Sequence, residues 1–165
     1  MNFLRRRDKN MKKKYTLMTI IVLLLIVIDQ IIKEIVVRNK IVIMSSEKIG
    51  YIQNFGGAFG LGGNSTIFII LVNIVVLGII IKFVYSQKDR IDIKALTSFT
   101  LILAGGFSNL IDRIFRGFVI DYIDITKYIR FPLFNIADVF VVVGWVMLLI
   151  SIIIYWYKEV KITTK

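Results

Sequence analysis

The chain has 165 residues, 57% of them hydrophobic, a mean hydropathy of +0.77 and a formal charge of +11. A water-soluble domain is only about half apolar and cannot hide so large an excess, so a soluble single-domain enzyme is excluded. Disorder, which needs low hydrophobicity, is excluded with it. Cys and His are both absent, which removes disulfides, thiolate nucleophiles, every His-based triad and the commonest metal ligand. Any catalysis has to run on carboxylates, Lys, Tyr or Ser. The length suits one domain, residues 1–165.

The chain starts on a basic flank, in which Arg5, Arg6, Arg7, Lys9, Lys12, Lys13 and Lys14 face only Asp8. An apolar stretch follows from Thr16 to Val37, interrupted by Asp29, Gln30, Lys33 and Glu34. It has the length of a membrane span. With Lys33 and Glu34 where a small-x-small cleavage site would lie, it reads as a retained span and not a cleaved leader. Residues 38–65 hold Gly50, Gly56, Gly57, Gly60, Gly62 and Gly63 behind loosely alternating apolar positions, the pattern of short strands and turns. A second span runs over 66–85, a basic connection over 82–94, and a third span over 95–111, ending on Asp112 and Arg113. The connection 114–135 carries Arg116, Asp121, Asp124, Lys127, Arg130 and the only proline, Pro132. The fourth span, 136–157, has Asp138 as its only charge, and a basic tail closes the chain. All four spans are expected to be helices, because open strands in lipid leave backbone groups unpaired. The expected fold is an all-α membrane protein with four transmembrane helices.

Three flanks, 1–14, 82–94 and 158–165, hold nearly all of the +11. The positive-inside rule then places both termini and the 82–94 loop in the cytoplasm. The charge is a topology signal, and no aromatic-plus-basic stacking pattern points to nucleic acid. With this orientation Asp29 and Lys33 fall in the outer half of the first span. Asn109, Asp112 and Arg113 lie at the outer end of the third, and Asn135 and Asp138 at the outer start of the fourth. Helical spacing puts Asp29 with Lys33, Asn109 with Asp112 and Arg113, and Asn135 with Asp138 on shared faces. Singly, each has a bland reading: Asp29–Lys33 as an ion pair that locks helices, Asp112–Arg113 as an interfacial anchor, Asp121 as a loop acid, Asp138 as a charge favoured at a helix start. Together at one depth they read as a polar site, since ionisable groups in spans are costly. Arg113 and Arg116 are placed to meet lipid headgroups or carbonyl oxygens, and Asp124 reads as a solvated loop acid. Two nearby carboxylates in low dielectric cannot both ionise easily; one holds a proton and the other can take one from water. The residues alone therefore leave a membrane aspartyl hydrolase and a proton-coupled carrier both open.

Five ordered boxes narrow this: Asp29-Gln-Ile-Ile-Lys33, Asn54-Phe-Gly-Gly-Ala-Phe-Gly60, Ala104-Gly-Gly-Phe-Ser-Asn-Leu-Ile-Asp-Arg113, Val119-Ile-Asp-Tyr-Ile-Asp124 and Phe134-Asn-Ile-Ala-Asp138. Spread over nearly the whole chain, they resemble the motifs of bacterial lipoprotein signal peptidase, signal peptidase II. Ala104 and Ser108 stand where that family usually has glycines, and Tyr122 where it has Phe. The resemblance implies an aspartyl endopeptidase that removes signal peptides from diacylglyceryl-modified prolipoproteins, cutting on the amino side of the lipidated cysteine. It implies Asp121 and Asp138 as the catalytic pair. Asn54, Asn109, Arg113 and Asn135 would line the site and hold substrate, with Asp29, Lys33 and Asp112 supporting it. It implies a small β-like extracytoplasmic cradle formed by the glycine-rich loop, no cofactor and no metal. The expected partners are prolipoproteins and membrane lipids, the expected unit a monomer in the bacterial cell membrane, with the site near the outer leaflet.

Overall fold

A computed structural model describes residues 2–40, 51–56 and 66–163. Four helices and two short strands follow in the order α1 (Asn2–Asn39), β1 (Ile52–Asn54), α2 (Thr66–Ser86), α3 (Ile93–Arg116), β2 (Val119–Asp121) and α4 (Ile136–Thr163). Gly50, and Gly57, Gly60, Gly62 and Gly63 of the glycine-rich connection, lie outside the described residues.

Among the described residues three helical segments, Thr66–Ser86, Ile93–Arg116 and Ile136–Tyr157, are long and apolar enough to cross a membrane, against the four expected. α1 is longer than its apolar stretch, because the basic flank continues the helix. α3 outruns its expected end at Ile111, which keeps Asp112, Arg113 and Arg116 on helical turns. Both ends of α3 have capping partners. Asp92 accepts a hydrogen bond from the Ala95 N–H at 2.7 Å, and Gly117, at φ 81°, donates its N–H to the Arg113 carbonyl at 3.2 Å. That left-handed terminus suits glycine.

α3 is the central helix. Its apolar window is 67% buried, against 22% for α2 and 11% for α4. Leu96, Phe99, Ile102 and Leu103 of α3 pack with Met18 and Val22 of α1 and Leu77, Ile80 and Val84 of α2. Close approach to α4 needs glycine: a Cβ on Gly105 would lie 2.2 Å from the Ala137 carbonyl oxygen, and one on Gly144 2.8 Å from that of Ser98. Outward faces of α1, α2 and α4 expose Leu23, Leu24, Val27, Ile67, Leu71, Val75, Val142, Leu149 and Ile153, a surface that only lipid covers at low cost.

β1 and β2 pair antiparallel with Ile52 opposite Asp121 and Asn54 opposite Val119. This small ladder is the described part of the expected cradle. Past it, Ile123 bridges Phe134, with the Phe134 carbonyl accepting from the N–H groups of Tyr122 and Ile123 at 3.0 and 2.8 Å. That bridge folds the loop back so that Asp121 meets the start of α4.

Candidate active site

Asn135 is the hinge between the two expected catalytic acids. It caps α4: its Oδ1 accepts from the Asp138 N–H, and Asp138 Oδ2 accepts from the Asn135 N–H, both at 3.0 Å. This reciprocal pair is a capping box, and it fixes the carboxyl of Asp138 against the helix start. The Asn135 side chain donates through Nδ2 to Asp121 Oδ1 at 2.8 Å. Asn54 Nδ2 donates to Asp121 Oδ2 at 2.8 Å, and Asn109 Nδ2 to Asp138 Oδ1 at 2.7 Å. All four carboxyl oxygens thus receive an amide donor, and three asparagines from β1, α3 and the start of α4 set the pair. Asp121 is 3% exposed. Burial, then the neighbouring Asp138, push its carboxyl up to about 6 against the pull of the Asn54 and Asn135 hydrogen bonds and of Lys33.

A second polar system lies behind this one. The ammonium of Lys33 is fully buried and meets Asp29 Oδ2 at 2.7 Å, Asp112 Oδ2 at 2.8 Å and Asn109 Oδ1 at 2.9 Å. Asp29 Oδ1 accepts from the Ala137 N–H at 3.1 Å, so a carboxylate of α1 helps cap α4 one residue before Asp138. Ser108 donates to Asp29 Oδ2 at 2.5 Å. The Asp29–Lys33 pair therefore ties α1 to α3 and to the start of α4.

Arg113 is held by backbone carbonyls of its own chain: its Nη2 donates to Gly56 at 2.9 Å and its Nη1 to Asn109 at 3.3 Å. Arg116 instead pairs with Asp112 at 2.5 Å, Gln30 at 3.0 Å and Glu34 at 3.3 Å. Asp124 is not a solvated acid: it is buried, and its Oδ1 accepts from the Thr126 N–H and hydroxyl at 2.8 and 2.6 Å. Gln30 was not singled out as a site residue. Its amide donates to the Ser108 hydroxyl at 3.0 Å and to Asp112 Oδ1 at 3.1 Å, and the only hint in the sequence is a second polar residue beside Asp29. Tyr122 is also buried beside the site, and burial, then the charge of Asp29, push its phenol up to about 12.

Residues 21–154 match the family model described as Signal peptidase (SPase) II. The chain is 38% identical over 139 residues to the lipoprotein signal peptidase of Clostridioides difficile (strain 630), covering 80% of this chain and 91% of that one. It is 38% identical over 133 residues to the lipoprotein signal peptidase of Lactococcus lactis subsp. lactis (strain IL1403), covering 76% and 85%. Among solved structures it is similar to a bacterial membrane enzyme determined by the in meso method at 2.3 Å, with a TM-score of 0.70 and 25% identity over 84% of this chain and 88% of that one. A match over most of its length, with the aspartates and asparagines of the boxes gathered in one place, means that the chain belongs to the signal peptidase II family of aspartic-type peptidases.

Proposed function

We propose that the chain removes signal peptides from diacylglyceryl-modified prolipoproteins by aspartyl catalysis, cutting on the amino side of the lipidated cysteine. The observation that carries this is the asparagine-bridged pair: Asn135 bonds Asp121 and Asp138 at once. In this reading Asp121, which holds a proton up to about pH 6, is the acid. Asp138, at a helix start where backbone N–H groups favour an anion, is the base. Asp138 takes a proton from water as the water oxygen attacks the scissile carbonyl carbon, and Asp121 gives its proton to the carbonyl oxygen. The tetrahedral diol collapses as Asp138 returns a proton to the leaving nitrogen and Asp121 recovers one from a diol hydroxyl. No cofactor enters. Asn54 and Asn109 keep the carboxyls in place without adding charge, and Arg113 ties the Gly56 turn beside them.

In this reading α1 is the fourth span, supported by the mostly apolar run 16–37 and by Leu17, Leu23, Leu24 and Ile28 facing outward. The enzyme then works as a monomer in the bacterial cell membrane, termini inside and site near the outer leaflet, where a diacylated cysteine is anchored. Purified protein incubated with a diacylglyceryl-modified prolipoprotein should release a peptide whose mass ends at the residue before the lipidated cysteine. Release of a different peptide, or cleavage of the unlipidated precursor at an equal rate, would refute the reading.

A further inference from the structure

Asn109 joins the two polar systems. Its Nδ2 faces Asp138 Oδ1 at 2.7 Å, and its Oδ1 faces Lys33 Nζ at 2.9 Å and Asn135 Nδ2 at 3.2 Å. A side-chain amide keeps its shape when it turns over, but donor and acceptor change places. Turned over, Asn109 would set its oxygen against a carboxylate oxygen and its NH2 against an ammonium. Of the two donors that prevent this, Asn135 is the weaker, because the same Nδ2 is held closer by Asp121, at 2.8 Å. Lys33 has no alternative polarity, since an ammonium only donates. It is fully buried between Asp29 and Asp112, so it cannot swing away.

We propose that Lys33 is a positioning residue for hydrolysis, whose buried ammonium holds the Asn109 amide in the one orientation that offers an N–H to Asp138. The inference rests on the Asp121–Asp138 reading above. Lys33 has no exposed surface, so it acts on the chemical step through Asn109 and not on substrate binding.

Lys33→Ala is a poor test, because it strands two buried carboxylates and threatens the fold. Asp29→Asn combined with Lys33→Met removes one charge of each sign and leaves Asp112 paired with Arg116. The full-length protein, purified in detergent, is assayed on a synthetic diacylglyceryl-modified prolipopeptide, and the double variant is compared with Asp29→Asn alone. From the single to the double variant, kcat should fall about tenfold or more while KM moves by less than about twofold, as misplacement of a reacting group demands. In an Asn109→Ala background the same step should change kcat by less than about twofold, because the mediator is gone. An equal fall in both backgrounds, or an unchanged kcat without Asn109→Ala, overturns the positioning role. Asp121→Asn and Asp138→Asn are run in parallel. Activity in those overturns the dyad reading itself, whereas their inactivity beside a fully active Asp29→Asn/Lys33→Met overturns only the role of Lys33.

Discussion

Both oxygens of Asp121 accept amide N–H groups; Asp121→Asn keeps the shape of the side chain and one of these bonds, and removes its proton transfer. The same holds for Asp138→Asn. Each should abolish cleavage in a protein that still folds and inserts, and the double variant should be little worse than either, since a dyad acts as one unit. Assay of released peptide checks this, and residual turnover in either single variant near the wild-type rate would refute it. The pH profile follows from the same geometry. Asp121 must be protonated to act as the acid, and burial holds it at about 6. Therefore kcat/KM should fall as pH rises through that region, and fall again in acid where the second carboxyl also takes a proton. The two macroscopic values belong to the pair. A rate that stays flat from about pH 5 to about pH 8 would remove Asp121 from the acid role. Asp124, three residues on, is the control: Asp124→Asn keeps an oxygen for Thr126 and should keep most activity. Asp124→Ala should lose about 1 kcal/mol of stability with the turn bonds, read by thermal unfolding. The i, i+3 spacing of Asn135 and Asp138 made their pairing legible in the sequence, because a capping box is a local motif. The contact between Lys33 and Asp112 was not legible, since it spans 79 positions and is set by how α1 lies on α3. The burial of Asp124 was missed for a different reason: its bonds to Thr126 are local, two residues on, but its low exposure depends on how the loop packs.

The helices were legible as apolar stretches, but their ends were not. Lys, Arg and Asp at a terminus lower the hydropathy without breaking a helix, so α1 and α3 run on past their apolar cores. What the stretches could not tell is which helix is central. The tandem glycines of α3 carried the clue, and Gly105 shows its use: the α4 backbone sits against it, and Ala137, which the missing Cβ spares, neighbours Asp138. Gly105→Ala would push its Cβ into the Ala137 carbonyl oxygen and Val141. Backbone cannot swing aside as a side chain can, so the substitution should cost about 1–3 kcal/mol of stability and shift Asp138 enough to depress kcat. At Gly106 the added methyl would meet only the end of Leu77, and at Gly78 nothing within 4 Å. Gly78→Ala should therefore leave both thermal midpoint and kcat unchanged, and Gly106→Ala should fall between. If all three alanine variants melt and turn over alike, close approach of α3 and α4 does not set the site.

At the scale of the whole molecule, the basic flanks and the site occupy opposite ends. Lys14 donates to the Ile91 carbonyl at 2.7 Å and the Tyr15 hydroxyl to that of Lys88 at 3.0 Å, so the amino-terminal basic run and the 87–92 connection share one end. α1 then rises away from it to Asp29 and Lys33, α3 rises to Asn109 and Arg113, and α4 starts at Asp138 and returns. Cationic flanks resist translocation, so in the proposed orientation this shared end is cytoplasmic and the carboxylates lie on the far side, where the lipid-anchored substrate would stand. The complete lack of cysteine gives a clean test. Lys88 and Lys127 are both exposed, the first on the basic connection and the second on the loop after Asp124. In intact cells a membrane-impermeant maleimide should label Lys127→Cys at once and Lys88→Cys only after the membrane is opened. Activity should be retained in both variants, because neither side chain touches the aspartates or their asparagines. Labelling of Lys88→Cys but not Lys127→Cys in intact cells would invert the molecule. It would also put the hydrolytic pair in the cytoplasm, and the proposed substrate would then have to be abandoned along with the orientation.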